Sequence, residues 1–175
     1  MTADTILYAC NTVAVGLFGI VLSAAFCNIR WTRRNVCCMI ASTLAIFLIQ
    51  GIVYLGIDPA LGPYLYPLHT HLPLAITLCV LSHERLWPVI SVLTAYLCCQ
   101  LPRWVDLVVT ALTRSELIGE ICYTLVIGPL FYLLYRFFVR PAYAAMMASP
   151  QSLLLFGSLP VAYYFFDYAT VVYSD

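Results

Sequence analysis

Long, unbroken apolar runs constrain this chain more than any other feature. A helix needs about 20 consecutive apolar residues to cross the hydrocarbon core of a bilayer. Residues 6–29 meet that length, and comparable runs recur along the sequence. No water is available inside lipid to bond free backbone groups, so each run must satisfy its N–H and C=O groups within its own helix. Composition agrees: 63% of residues are hydrophobic and 9% charged, where a soluble domain carries about a quarter charged residues. So few charges could not cover a water-facing surface. The expected fold class is therefore all-α, a polytopic transmembrane helical bundle.

The pattern places about six spans, at residues 6–29, 36–55, 66–81, 86–101, 117–135 and 153–172. A ten-residue apolar stretch at 104–113 is too short to cross and reads as an interfacial or re-entrant helix. Between the second and third spans, Asp58, Pro59, Gly62 and Pro63 mark a loop. The basic residues set the orientation. All eight are arginine. With the N-terminus outside, Arg30, Arg33, Arg34, Arg85, Arg136 and Arg140 fall in cytoplasmic turns, and only Arg103 and Arg114 fall outside. That bias fits the positive-inside rule, and the reversed topology does not. The segment before the first run carries Asp4 and no positive charge, so the run reads as a retained helix and not a cleaved signal peptide. The expected location is the plasma membrane, multi-pass, with the lipid bilayer as the first partner. Eight acids balance the eight arginines, and no basic tail or patch points to nucleic acid.

Candidate chemistry is sparse. The eight cysteines lie in or beside apolar runs, and the pairs Cys37-Cys38 and Cys98-Cys99 lack metal-site spacing. They read as small apolar packing residues. No nucleophile elbow, HExxH, phosphate loop or zinc spacing is present. No catalytic set, metal site or cofactor is therefore expected.

The most unusual stretch is residues 66–73, Tyr-Pro-Leu-His-Thr-His-Leu-Pro. Pro73 has no N–H, so the carbonyl of His69 loses its helical partner and the helix should bend there. A free acceptor then lies beside His69, Thr70 and His71. One reading is an extracytoplasmic ligand pocket; the other is interfacial histidines around a kink. Positions two apart on a helix point about 200° apart, which disfavours joint chelation by His69 and His71. Glu120 and Asp167 lie within spans near their outer ends, Asp167 one turn after Tyr163 and Tyr164. Ionisable residues in spans are costly and often functional. A shared outer pocket would combine the His69 region, Glu120, Tyr163, Tyr164 and Asp167; the other reading is that tyrosine hydroxyls satisfy each acid locally. Pro129 and Pro160 place further kinks in the fifth and sixth spans. Arg103 and Asp106, three apart, should pair on a helix surface.

Four segments carry a resemblance. They are residues 29–34 (Ile-Arg-Trp-Thr-Arg-Arg), 65–74 (Leu-Tyr-Pro-Leu-His-Thr-His-Leu-Pro-Leu), 85–100 (Arg-Leu-Trp-Pro-Val-Ile-Ser-Val-Leu-Thr-Ala-Tyr-Leu-Cys-Cys-Gln) and 155–167 (Leu-Phe-Gly-Ser-Leu-Pro-Val-Ala-Tyr-Tyr-Phe-Phe-Asp). Their layout resembles the membrane-embedded sensor region of bacterial GHKL-type sensor histidine kinases, the group that includes the accessory-gene-regulator peptide receptors. The resemblance implies a receptor sensing an external peptide or small-molecule signal, homodimeric through its parent kinase. The phospho-accepting helix and the ATP-holding boxes of that family are absent from these residues. The expectation is the sensor portion of a two-component receptor, with no kinase activity of its own. A six-span transport protein, or the substrate-binding subunit of an importer, is the alternative, although importer subunits of that type normally start in the cytoplasm. A small membrane enzyme is the third reading and lacks a catalytic set.

Overall fold

The computed structural model describes residues 3–56, 67–82 and 86–173, and these are almost wholly helical, with no strand among them. We label the helices α1 (Ala3–Phe26), α2 (Arg33–Gly56), α3 (Leu72–Ser82), α4 (Leu86–Cys98), α5 (Gln100–Thr113), α6 (Glu116–Leu133), α7 (Val139–Met147) and α8 (Pro150–Tyr173). The loop expected around Asp58 to Pro63 and the turn holding Arg85 lie outside the described residues.

Among the described residues, four helical stretches are long and apolar enough to cross a membrane: Ile6–Phe26, Arg33–Val53, Leu86–Thr113 and Glu116–Met147. Leu68–Ser82 is apolar but shorter. The helix Pro150–Tyr173 has 24 residues, and Gln151, Ser152, Ser158 and Asp167 dilute its apolar character. Large apolar side chains are bare on the outside of the bundle, among them Leu44, Leu48, Ile76, Leu125, Leu155 and Phe165. A belt of this kind is costly against water and is satisfied by lipid.

Two stretches run on where the sequence suggested breaks. The fourth span and the short segment at 104–113 join into one stretch, Leu86–Thr113. Pro102 reads as a stop, yet it stands in the first turn of α5, where a missing N–H costs no helical bond. The only interruption is at Cys99, whose N–H is shared between the carbonyls of Ala95 and Tyr96, both at 3.1 Å. Similarly, α6 continues into α7 through a π-helical turn, Leu134–Phe138, in which the Val139 N–H reaches back five residues to the Leu134 carbonyl. The wider turn absorbs the register change ahead of Pro141. A second π-helical turn, Pro67–His71, precedes α3 and Pro73. The proline that should free the His69 carbonyl thus sits directly after a local widening of the helix.

α1 and α4 form the centre. Phe18, Ile20, Leu22, Ala24 and Phe26 of α1 and Trp87, Ile90, Val92, Ala95 and Tyr96 of α4 are buried. Gly19 lets the two helices close: a Cβ there would stand 2.7 Å from the Tyr96 ring. Small residues at such crossings allow tight van der Waals packing, the main attraction between helices in lipid. α2 packs mainly on α3, where Ser42 and Thr77 hydroxyls share a 2.8 Å hydrogen bond. Ala41 and Ala45, one turn apart on α2, are exposed.

The turn after α1, the start of α2, the end of α3, the start of α4 and α7 meet at one end of the bundle. They border an open cavity of about 450 Å³ lined in part by Asn28, Arg30, Asn35, Trp87 and Tyr143. Asn28 makes the first of these turns with φ of 50°, a left-handed conformation that asparagine tolerates.

Candidate functional site

The opposite end is built around the hairpin of α5 and α6. Arg114, with φ of 52°, ends α5 by donating its N–H to the Thr110 carbonyl at 2.8 Å. Ser115 then starts α6, its hydroxyl accepting from the Ile118 N–H at 3.5 Å. Gly119 lets the two helices of the hairpin approach closely. A Cβ there would collide with Thr110 Oγ1 and Asp106 Oδ1 and lie 3.2 Å from the Asp106 carbonyl oxygen.

That close approach assembles a polar cluster. Arg103 Nη1 donates to Asp106 Oδ2 at 2.6 Å and lies 3.9 Å from Glu120 Oε1. Thr110 Oγ1 donates to Asp106 Oδ1 at 3.3 Å. From α1, the Asn11 amide donates to Glu120 Oε2 at 2.6 Å and to the Glu120 backbone carbonyl at 3.1 Å. Thr124 Oγ1 donates in turn to Asn11 Oδ1 at 2.8 Å. Asn11 and Asp106 are buried, and the Glu120 side chain is 13% exposed. The Arg103–Asp106 pair was legible from its spacing, but Asp106 faces inward instead of standing on a helix surface. A carboxylate withdrawn this far is tolerated because each oxygen has a donor.

Beside the cluster lies a cavity of about 510 Å³, walled by Tyr8, Arg103, Asp106, Leu107, Thr110, Glu116 and Glu120. Glu120 is the one residue of the expected outer pocket that lines it.

The other expected residues gather elsewhere. His71 Nε2 and the Tyr164 hydroxyl are 2.9 Å apart, so the start of α3 is tied to α8. The imidazole stacks on the Tyr96 ring with centroids 4.2 Å apart. Tyr163 meets Tyr164 edge-on at 5.7 Å and faces Trp104 at 6.4 Å. Thr70 is buried, His69 is half-buried on the π-helical turn, and Asp167 is exposed. The structure thus brings His71 and Tyr164 together and holds Glu120 with Asn11 and Thr124. Pro160 is buried in α8 and Pro129 is exposed in α6. Among the described residues no group of three His, Cys, Asp or Glu side chains is arranged to hold a metal ion.

Sequence reasoning missed Asn11, Thr110 and Gly119, while the place of Thr124 on the helical face of Glu120 follows from its spacing. One signal was present: Asn11 is a carboxamide inside an apolar run, and such residues bond across helices in lipid. Its partner, 109 positions away, has no local trace. No family model, curated protein or solved structure matches the chain.

Proposed function

We propose that this chain is the membrane-embedded sensing module of a two-component signalling receptor in a bacterial plasma membrane, with its N-terminus outside. Six spans follow if Leu68–Ser82 and Pro150–Tyr173 cross the bilayer along with the four longer stretches. The observation that carries the reading is the charged cavity walled by α1, α5 and α6. Charge is costly in a membrane protein and collects at working sites. The positive-inside count puts the Arg114 turn, and hence the cavity mouth, on the extracytoplasmic side. A signal in the cavity would favour one packing of α1 against the hairpin over another, and the shift in population would pass to the cytoplasmic ends of the helices. The resemblance in layout to GHKL-type sensor regions supports a homodimeric kinase as the output, supplied by a parent receptor. No catalytic step is assigned to these residues.

The test joins the chain to a homodimeric histidine-kinase core and measures autophosphorylation in membranes. Asn11→Ala and Glu120→Gln are expected to change the output at equal membrane levels. Output unchanged in both variants would overturn the sensing role of the cavity and leave the six-span transport reading as the better account.

A further inference from the structure

The end of the bundle where α1 turns into α2 is the cationic one. Residues 27–40 hold Arg30, Arg33 and Arg34 and no acid, and residues 134–150 hold Arg136 and Arg140 and no acid. The segment between α3 and α4 contains Glu84 and Arg85, which offset each other in charge. Helix ends of both signs meet here, with α2 and α4 starting and α1 and α3 ending, so their partial charges also offset. The balance left is positive.

The cavity of about 450 Å³ opens at this end. Arg30 borders it, is exposed, and has no ion pair among the described residues. Trp87 borders it as well. That residue is 4% exposed, and its indole N–H is buried with no acceptor among the described residues. An indole N–H can only donate, and a buried donor left without an acceptor is costly. The Tyr143 ring meets Trp87 edge-on at 5.4 Å, which fixes the indole at the wall. Asn28 and Tyr143 add an amide and a hydroxyl, and no carboxylate lines the wall among the described residues. A cation would find no counter-charge here, and an apolar group would leave the Trp87 N–H unmet. Next to Arg30, Trp31 heads an apolar groove between α1 and α2 that passes Ile20 and Met39 to reach Leu17 and Leu44.

We propose that this cavity holds the phosphate headgroup of an anionic phospholipid, with Arg30 and the Trp87 N–H as its donors and an acyl chain along the α1–α2 groove. Basic pockets between membrane helices suit such headgroups. A free phosphate would use the same donors but not the groove. The inference does not depend on what occupies the cavity at the opposite end.

The test is native mass spectrometry of the purified full chain in neutral detergent, titrated with phosphatidylglycerol or phosphatidylcholine of matched acyl chains. Phosphatidylglycerol is expected to bind more tightly. Arg30→Gln, at an exposed position, should weaken it about threefold. Trp87→Phe, which keeps the ring against Tyr143 and removes the buried donor, should weaken it about tenfold. Arg34→Gln removes the same charge without touching the cavity wall and should leave binding unchanged. Equal binding of the two lipids would overturn the proposal. An effect of Arg34→Gln as large as that of Arg30→Gln would reduce the preference to diffuse surface charge and overturn the site. Binding of inorganic phosphate that depends on Arg30, without a preference for phosphatidylglycerol, would overturn the lipid as the source.

Discussion

Replacing Gly119 with alanine adds one methyl group at a close approach within the α5–α6 hairpin. The new Cβ would overlap Thr110 Oγ1 and Asp106 Oδ1 and press on the Asp106 carbonyl at 3.2 Å. Backbone cannot give way cheaply, so either the hairpin opens or the Asp106 carboxylate rotates off. Overpacking of this kind typically costs about 1–3 kcal/mol. Alanine regains up to about 1 kcal/mol of helix propensity, which opposes the loss. If Asp106 rotates, its bonds to Arg103 and Thr110 are also weakened. The expected net destabilisation is roughly 1–2 kcal/mol, and for a chain of this size each kcal/mol moves the midpoint by about 2–4 °C. Gly51 supplies the control. It lies in α2, and a Cβ there meets nothing within 4 Å. Thermal unfolding of the purified protein should therefore show Gly119→Ala lowered by roughly 2–8 °C and Gly51→Ala unchanged or raised. If Gly119→Ala is as stable as Gly51→Ala, the hairpin does not close as described and the cavity wall built on it fails.

Asn11→Ala removes the bonds from α1 to Glu120 and Thr124 and should cost about 1–3 kcal/mol, because buried partners are left unsatisfied; a chemical-denaturation midpoint equal to that of the unaltered protein would contradict this. Tyr164→Phe removes the hydroxyl from His71 while keeping the ring, with an expected loss of about 1 kcal/mol; the same denaturation measurement, with Tyr163→Phe as comparison, checks it. Arg114→Cys, in a background with Cys10, Cys37 and Cys38 replaced by serine, should react with a membrane-impermeant maleimide on intact cells, and Asn35→Cys should react only after lysis. The opposite labelling pattern would invert the proposed orientation.

The helical class was legible because apolar runs of about 20 residues fit a spanning helix and are too long for a spanning strand, so run length and low charge were sufficient. Helix ends were harder. Pro102 and Pro141 look like stops in a linear reading, but each falls in the first turn of a new segment, where proline is tolerated, and a shared N–H at Cys99 or a π-helical turn at Leu134–Phe138 keeps the chain helical. The site was legible only in its local parts. Arg103 and Asp106 are one turn apart, so their pairing follows from helix geometry. Asn11 and Glu120 meet through the packing of α1 on α6, which depends on how Gly19 and Gly119 admit neighbouring helices. His71 and Tyr164 were both singled out, yet nothing in the sequence indicated that they would bond to each other while Glu120 turned to α1.

The tether between α1 and α6 is suited to switching because it is small. Hydrogen bonds between helices in a membrane average only about 0.6 kcal/mol, since the unpacked helices also find partners. Asn11 makes two bonds to Glu120 and accepts one from Thr124, so the whole tether contributes on the order of 2 kcal/mol. A ligand with about 1.4 kcal/mol of preference for one packing changes the ratio of the two packings tenfold. A ligand group drawing on Glu120 would compete with the Asn11 amide for the same carboxylate. The crossing of Gly19 against the Tyr96 ring lies away from that competition, so it would hold α1 on α4 while the N-terminal end of α1 is released. A fixed middle and a releasable end make a pivot, and a pivot near the centre of α1 would carry motion at Asn11 to the Arg30 turn at its far end.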